Sequence, residues 1–130
     1  MFPDIELARQ IANEHCAAWT SHSADQVAQR YSPNTSFAMN GGEPMMTRAE
    51  LAEMAAGFMA DFPDLTLICD TVLAADRHMV YAWTFEGRHR ETGNQVRFSG
   101  WEEWDLDDEL KVVKSLGWYD AADYERQITG

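Results

Sequence analysis

Basic residues are scarce in this sequence: 10 Lys and Arg stand against 22 Asp and Glu, a formal net charge of −12. Such a charge repels phosphate backbones and anionic lipid headgroups, which argues against nucleic-acid and membrane partners. No apolar run approaches the roughly 20 residues that a membrane-spanning helix needs. The first ten residues, MFPDIELARQ, lack the basic and apolar regions of an export signal. These absences predict a cytoplasmic protein.

Cysteine is nearly absent as well. Cys16 and Cys69 lie in helix-like and strand-like surroundings, and neither belongs to a CxxC or His-rich pattern. Two isolated cysteines predict buried thiols in a reducing compartment, rather than a disulfide framework or a zinc site. The GG and GNQ segments are typical of turns and not of phosphate-binding loops. We therefore expect neither a metal nor a cofactor.

What is present suits one globular domain over residues 1–130, with 45% hydrophobic and 12% aromatic residues. A chain of this length buries roughly two-thirds of its unfolded surface. The spacing of apolar residues predicts a helix that begins after Pro3 and ends near His22. Capping boxes at Ser23 and Thr47 start a second and a third helix, and Pro63 ends the third.

From residue 65 onward the apolar period becomes that of β-strands. Four strands are predicted, over residues 65–74, 78–89, 95–106 and 110–119. A brief strand over 35–39 precedes the third helix, and a short helix over 121–128 ends the chain. Helices followed by an antiparallel meander predict an α+β fold.

The register of the meander decides which side chains share a face of the sheet. A three-residue turn at 107–109 pairs Glu102 with Lys114, and it puts Asp120 on their face. A four-residue turn at 91–94 pairs Arg90 with Gln95. One face then becomes strongly apolar and must pack on the helices, since it carries Met79, Tyr81, Trp83, Phe85, Phe98, Trp104, Leu106, Val112, Leu116 and Trp118.

The polar residues predicted on this apolar face are His89, Glu102, Lys114 and Asp120. Polar groups among aromatic side chains are typical of an apolar ligand pocket with a few orienting groups. Desolvation there would raise the pKa of Asp120 towards the range useful for proton transfer. A second interpretation stays open, since Asp120 precedes AADYERQI and Asp is a preferred helix N-cap. Glu102 and Lys114 fit a cross-strand ion pair better than catalytic groups.

Four segments carry a family resemblance: GGEPMMTRAEL, DFPDL, WTFEGRHRETGNQVRFSGWEEW and KVVKSLGWYDAADYERQI. Together they resemble the SnoaL-like branch of the nuclear-transport-factor-like superfamily, which is related to polyketide cyclases, ketosteroid isomerases and limonene epoxide hydrolases. The resemblance covers essentially the whole chain. It implies a cone-shaped barrel of a curved, mostly antiparallel sheet, packed on three N-terminal helices and followed by a short C-terminal helix.

The resemblance also implies an acid/base aspartate at the end of the last strand, which falls on Asp120. Two positions depart from the cyclase pattern, since Leu116 stands where a Trp is usual and Trp83 where a His is usual. Dehydratases of the scytalone type rank lower, because only His15 offers Asp120 a partner. Epoxide hydrolases rank lower too, because Arg97 has the wrong strand parity to join Asp120.

We therefore expect a cofactor-independent isomerase, cyclase or dehydratase that acts on a hydrophobic, carbonyl-bearing molecule. Asp120 would move the proton, and the predicted substrate-binding residues are Tyr31, Phe58, Trp83, Phe98, Glu102, Lys114 and Trp118. The alternative is a non-catalytic small-molecule-binding domain. Trp101 and Tyr119 on the other face of the sheet predict a homodimer through that face.

Overall fold

Residues 4–130, the part of the chain that the computed structural model describes, fold into four helices and five strands joined by turns and loops. The helices are α1 (Ile5–Thr20), α2 (Ala24–Gln29), α3 (Arg48–Asp61) and α4 (Ala121–Thr129), and the strands are β1 (Phe37–Met39), β2 (Thr66–Ala75), β3 (His78–Arg88), β4 (Gln95–Leu106) and β5 (Val112–Tyr119). The predicted α+β order is confirmed. Residues 1–3, which include Pro3 and the start of the segment inspected for an export signal, lie outside the described residues.

Polar side chains start the helices. Ser23 and Thr47 each accept a hydrogen bond from the backbone N–H three residues later, at 3.2 and 3.1 Å. Asp4 does the same for α1 at 2.8 Å. The first N–H groups of a helix have no partner within it, so these caps fix where each helix begins.

The sheet has the strand order β1-β5-β4-β3-β2. Strand β1 pairs with β5 in parallel, and the other neighbours pair antiparallel. Within the described residues β1 and β2 are not paired with each other, so the sheet is open and not a closed barrel. One face of it, the inner face, packs on the helices.

No helix described between residues 4 and 130 is long and apolar enough to cross a membrane.

The pairing of β3 with β4 differs from the prediction by an even number of residues. Gln95 faces Arg88 and not Arg90, because a longer loop closes through the bond from His89 N–H to the Asn94 carbonyl at 2.8 Å. An even shift leaves every side chain on its predicted face. The inner face of these two strands therefore carries the aromatic residues that the sequence assigns to it.

The pairing of β4 with β5 differs by an odd number, so the predicted register of β5 is wrong. The turn is longer than expected: the Asp107 N–H donates to the Lys111 carbonyl at 2.9 Å, and Leu110 takes a left-handed φ of 66°. Leu106 then faces Val112, and the register shifts directly after this pair. An extra residue at a bulge turns every later side chain to the opposite face.

The bulge moves four residues away from their predicted inner positions. Lys114 is exposed and faces Asp105, while Leu116 and Trp118 are half-buried on the outer face. Asp120 is exposed just beyond the strand. The predicted pairing of Lys114 with Glu102 is therefore wrong. The predicted outer position of Tyr119 is wrong for the same reason, since its ring packs against Trp83 and Phe98 of the inner face.

Candidate active site

A buried carboxylate, Glu102, lies at the centre of the inner face and is 6% exposed. Tyr81 donates a hydrogen bond to its Oε2 at 2.8 Å. Its Oε1 accepts from Tyr31 at 3.3 Å and from Trp104 and Ser115 at 3.2 Å each. Four protein donors therefore converge on one carboxylate.

Local structure explains how these donors meet. Tyr81 is the direct partner of Glu102 across the β3–β4 ladder, and Trp104 lies two residues further along β4, on the same face. Ser115 comes from β5, opposite Trp104. Tyr31 follows α2 and forms a parallel bridge to the start of β5. The site thus needs three strands and one helix end in register.

Burial sets the protonation of this cluster. It raises the pKa of Glu102, against the opposing effect of the hydrogen bonds that stabilise the ionised form. Burial also raises the pKa of Tyr31 and Tyr81 well above the usual value, so both phenols stay neutral donors. A carboxylate has about four acceptor positions on two oxygens. Because Oε2 accepts only from Tyr81, it retains an acceptor position.

A cavity of about 40 Å³ borders Glu102. Its lining is largely aromatic or aliphatic and comprises Trp19, Phe37, Met39, Met54, Phe58, Leu67, Trp83, Phe85, Phe98, Glu102 and Tyr119. Glu102 is the only carboxylate in this lining. The indole Nε1 of Trp83 is buried and has no hydrogen-bond partner. The residues that line the cavity therefore include one carboxylate, the indole of Trp83 with its unpartnered N–H, and the phenol of Tyr119.

Two glycines within strands make room for this arrangement. Gly100 faces Trp83 across the ladder, and a Cβ there would lie 2.6 Å from the Trp83 ring. Gly117 faces Glu102, and a Cβ there would lie 2.9 Å from the sulfur of Met39. Glycine in a strand interior often marks such a close approach, which is a signal that the sequence analysis did not use.

The structure brings together five of the eight predicted site residues. Phe58, Trp83, Phe98 and Glu102 line the cavity. Tyr31 does not line the cavity, but its hydroxyl donates a hydrogen bond to Glu102.

The other three predicted site residues lie elsewhere. Lys114 is exposed, and Trp118 faces Trp101 on the outer side of the sheet. Asp120 caps α4 by accepting a hydrogen bond from the Asp123 N–H at 3.0 Å. Their predicted inward positions are wrong because the β4–β5 bulge reverses the faces. A proton-transfer role for Asp120 stays an untested prediction.

Tyr81, Trp104 and Ser115 were not predicted from the sequence as partners of Glu102. Tyr81 and Trp104 were assigned to the apolar face as core residues only. Buried Tyr and Trp usually need a partner for their O–H or N–H group. Their place beside one Glu was therefore the available signal. Within residues 4–130, no three His, Cys, Asp or Glu side chains are grouped as they would be around a metal ion.

Comparison with known proteins gives one sequence match and many structural ones. The profile of the SnoaL-like domain matches residues 12–114. No curated protein matches the chain at a significant level.

The structural matches share the whole fold at low sequence identity. A proposed SnoaL-like polyketide cyclase from Jannaschia sp. CCS1 has a TM-score of 0.86 at 12% identity, over 100% of this chain and 96% of its own. AclR, a proposed hydroxylase from Streptomyces galilaeus, has 0.84 at 19% identity, over 97% and 98%. A protein with a ketosteroid isomerase-like fold from Catenulispora acidiphila, solved with trimethylamine, has 0.83 at 13% identity, over 92% of both chains.

Proposed function

Because the chain belongs to the SnoaL-like family, we propose that it is a cofactor-independent enzyme that transfers a proton on an apolar, carbonyl-bearing small molecule. Glu102 is its acid/base. The observation that carries this proposal is a buried carboxylate at an apolar cavity, with a pKa that burial raises. A raised pKa brings a carboxyl closer to the working pH, where it can both take and return a proton.

The Glu102 carboxylate and the Trp83 indole suit an enolisation. The Glu102 carboxylate removes a proton from the carbon next to the carbonyl, so the C–H bond breaks and its electron pair moves to the carbonyl oxygen. The Trp83 Nε1–H, which has no protein partner, donates a hydrogen bond to that oxygen as its negative charge develops. Where the ketone carries a β,γ double bond, the electron pair returns from the oxygen, the double bond moves into conjugation with the carbonyl, and Glu102 gives the proton to the γ carbon, which completes an isomerisation.

The donors behind Glu102 act as positioning residues. Tyr81 at 2.8 Å and Ser115 at 3.2 Å fix the carboxylate relative to the sheet. Since Oε1 carries three of the four bonds, Oε2 is the oxygen with a free acceptor position for the proton. A side chain held by its neighbours loses less freedom when the substrate binds.

The size of the cavity limits the substrate. A cavity of about 40 Å³ holds roughly three water molecules. A larger substrate must displace side chains at the wall, of which Met39, Met54, Phe58 and Tyr119 are only partly buried. Methionine adapts readily to an irregular ligand. We therefore propose a small ketone, or a larger one that moves these four residues.

The small cavity and the three donors on Oε1 also favour a second candidate, a small-molecule-binding domain without catalysis. In that case Glu102 accepts hydrogen bonds from a ligand and moves no proton. The two candidates differ in whether bound ketones exchange hydrogen with the solvent.

The deciding experiment uses 3-cyclohexenone in D₂O, followed by NMR. The enzyme reading predicts catalysed deuterium uptake and conversion to the conjugated 2-cyclohexenone. Glu102→Gln should lower this rate by at least about 100-fold, the usual contribution of acid/base catalysis. The matched control is Glu103→Gln. Glu103 is the next residue and points to the outer face, where its Oε1 lies 3.7 Å from the Nε2 of His78.

Saturable shifts of the Trp83 indole N–H without exchange would support the binding domain and contradict the enzyme. Equal losses of rate in both Gln variants would contradict a specific role for Glu102. An absence of both binding and exchange, over a panel that extends to longer ketones, would overturn both candidates.

We also propose a cytoplasmic homodimer formed through the outer face of the sheet. Ile68, Leu73 and Trp101 are 46%, 65% and 46% exposed on this face, and exposed apolar patches often mark interfaces. Cys16 and Cys69 are free thiols, as suits a reducing compartment. Light scattering should give a mass in solution of twice that of one chain. For the Trp101→Glu variant it should give the mass of a single chain. A wild-type monomer would contradict this part of the proposal.

A further inference from the structure

A second, polar cleft of about 320 Å³ opens between α1, α2 and the turn that precedes β5. It is lined by Glu14, His15, Ala18, Gln26, Gln29, Arg30 and Lys111. None of these residues lines the cavity beside Glu102. The volume lies at the lower end of the range of small-molecule sites, roughly 300–1,000 Å³.

His15 lines this cleft and carries an unpaired donor. The side chain is 2% exposed, and its Nε2 accepts a hydrogen bond from the Trp19 Nε1–H at 3.3 Å. Burial, together with the positive charge of Arg30, lowers the pKa of His15 to about 3, so the ring is neutral at ordinary pH. A neutral imidazole that accepts at Nε2 carries its hydrogen on Nδ1. That Nδ1 is buried and has no partner.

Arg30 and Lys111 add charged donors to the same cleft. The Arg30 Nη2 donates to the Leu110 carbonyl at 3.0 Å, but its Nε is buried without a partner. Lys111 Nζ donates one hydrogen bond, to the Gln29 carbonyl at 3.0 Å, and an ammonium group has three donors. Buried donors without partners are rare, and each needs an explanation.

The nearby acids do not supply the missing acceptor. Glu14, which lines the cleft and interacts electrostatically with Arg30, is exposed and makes no hydrogen bond to Arg30, since its Oε1 accepts from Gln10 at 3.1 Å. Asp107, which interacts electrostatically with Arg30, uses its Oδ1 for the backbone N–H groups of Glu109 and Lys111. The cleft therefore combines two cations with unpaired N–H donors in a chain of net charge −12.

We propose that this cleft binds a small oxyanion, a carboxylate or a phosphate group. Charged hydrogen bonds from Arg and Lys to such groups are among the strongest in proteins. The ligand oxygens would accept from His15 Nδ1–H, Arg30 Nε–H and the Lys111 ammonium, which gives each donor a partner. This proposal does not rest on the reaction proposed at Glu102.

Binding of an oxyanion in the cleft should also affect how firmly the Glu102 carboxylate is held. The His15 ring packs edge-on against Trp104 with 5.0 Å between ring centroids, and against Tyr31 at 5.9 Å. Both of these residues donate to the Glu102 carboxylate. An oxyanion that fixes the His15 ring therefore fixes two of the groups that hold Glu102.

The two lysines of the sequence, Lys111 and Lys114, provide a matched test. NMR titrations with inorganic phosphate and with malonate should show saturable shifts of the His15 Nδ1–H and Arg30 Nε–H signals. Lys111→Gln should weaken binding about tenfold, the effect of losing one charged hydrogen bond. Lys114→Gln removes the same charge from an exposed strand position and should leave the affinity unchanged. Tighter binding of phosphate or of malonate would identify the preferred oxyanion.

Arg30→Lys provides a second test that retains the charge but removes the Nε donor. It should weaken the binding of both anions while leaving the spectrum of the fold intact. Linear shifts without saturation would overturn the proposal, as would equal effects of the two lysine variants. A His15 ring with its hydrogen on Nε2 would also contradict it.

Discussion

Glu102 in β4 and Asp120 just after β5 are both carboxylates on neighbouring strands, yet the structure treats them in opposite ways. Glu102 is 6% exposed and accepts hydrogen bonds from four side chains. Asp120 is exposed, and its side chain caps a helix by accepting one backbone N–H at 3.0 Å. The first is held by tertiary structure and the second by its local sequence.

The difference shows what makes a carboxyl a candidate acid/base. Family resemblance favoured Asp120, because it selects a position along the chain. The surroundings of each group favour Glu102, because only a buried carboxyl has its pKa raised by loss of solvent. Substitutions at the two positions should therefore differ sharply in their effects.

Removal of the Glu102 carboxylate should have the largest effect on stability. Glu102→Ala leaves four buried donors without an acceptor, so the free energy of unfolding should fall by about 3–5 kcal/mol. Urea unfolding measures this change. Glu103→Ala, on the outer face, should change it by less than about 0.5 kcal/mol. Similar losses in the two variants would contradict the special status of Glu102.

Filling the space at Gly100 should have the next largest effect. Gly100→Ala places a Cβ against the Trp118 carbonyl oxygen and 2.6 Å from the Trp83 ring, so both the β5 backbone and the ring must move, at a cost of about 1–3 kcal/mol in unfolding free energy. The control is Gly57→Ala in α3, where a Cβ meets nothing within 4 Å. That substitution should stabilise the helix by about 0.5–1 kcal/mol. A stable Gly100→Ala protein with an unchanged Trp83 spectrum would contradict this packing.

Glu102 should also make stability depend on pH. Its pKa is raised in the folded protein, so the folded state binds the proton more tightly than the unfolded state does. The contribution of Glu102 to the free energy of unfolding is fully present below the pKa that Glu102 has in the unfolded chain. It is lost as the pH rises through the pKa of the folded protein, by at most about 1.4 kcal/mol per pH unit. The free energy of unfolding of the wild type, measured relative to that of Glu102→Gln, should therefore fall from pH 4 to pH 8. A flat difference would contradict burial of an ionisable Glu102.

Asp120 should show the smallest effect, that of a helix cap. Asp120→Ala should lower the free energy of unfolding by about 1 kcal/mol. Asp120→Asn should have little effect on stability, because Asn caps a helix as well as Asp does. Neither should slow the hydrogen exchange of bound ketones. Loss of that exchange in a stable Asp120→Asn protein would restore the aspartate predicted from the family resemblance.

Local signals made most of the secondary structure predictable. The caps at Ser23 and Thr47 and the change of period near residue 65 depend only on neighbouring residues, and the structure confirms them. The inner faces of β3 and β4 were also predictable. Their register was wrong by an even number of residues, which does not change the face.

The register of β5 was not predictable from local signals. It depends on Leu110 in a left-handed conformation, which bulky residues seldom adopt, and on a single bulge next to Leu106. One residue of difference moves Lys114, Trp118 and Asp120 to the other side, while Glu102 on β4 is unaffected. The candidate site was therefore predicted only where it does not depend on β5.

A ¹³C NMR titration of the Glu102 carboxyl tests the central claim most directly. We expect a midpoint above 4.5, the ordinary pKa of Glu, because burial penalises the charged form. It also predicts that the shift is accompanied by changes in the Tyr81 and Trp104 signals, since both side chains donate to this carboxyl. A midpoint at or below 4.5 would contradict the assignment of Glu102 as the acid/base of the cavity.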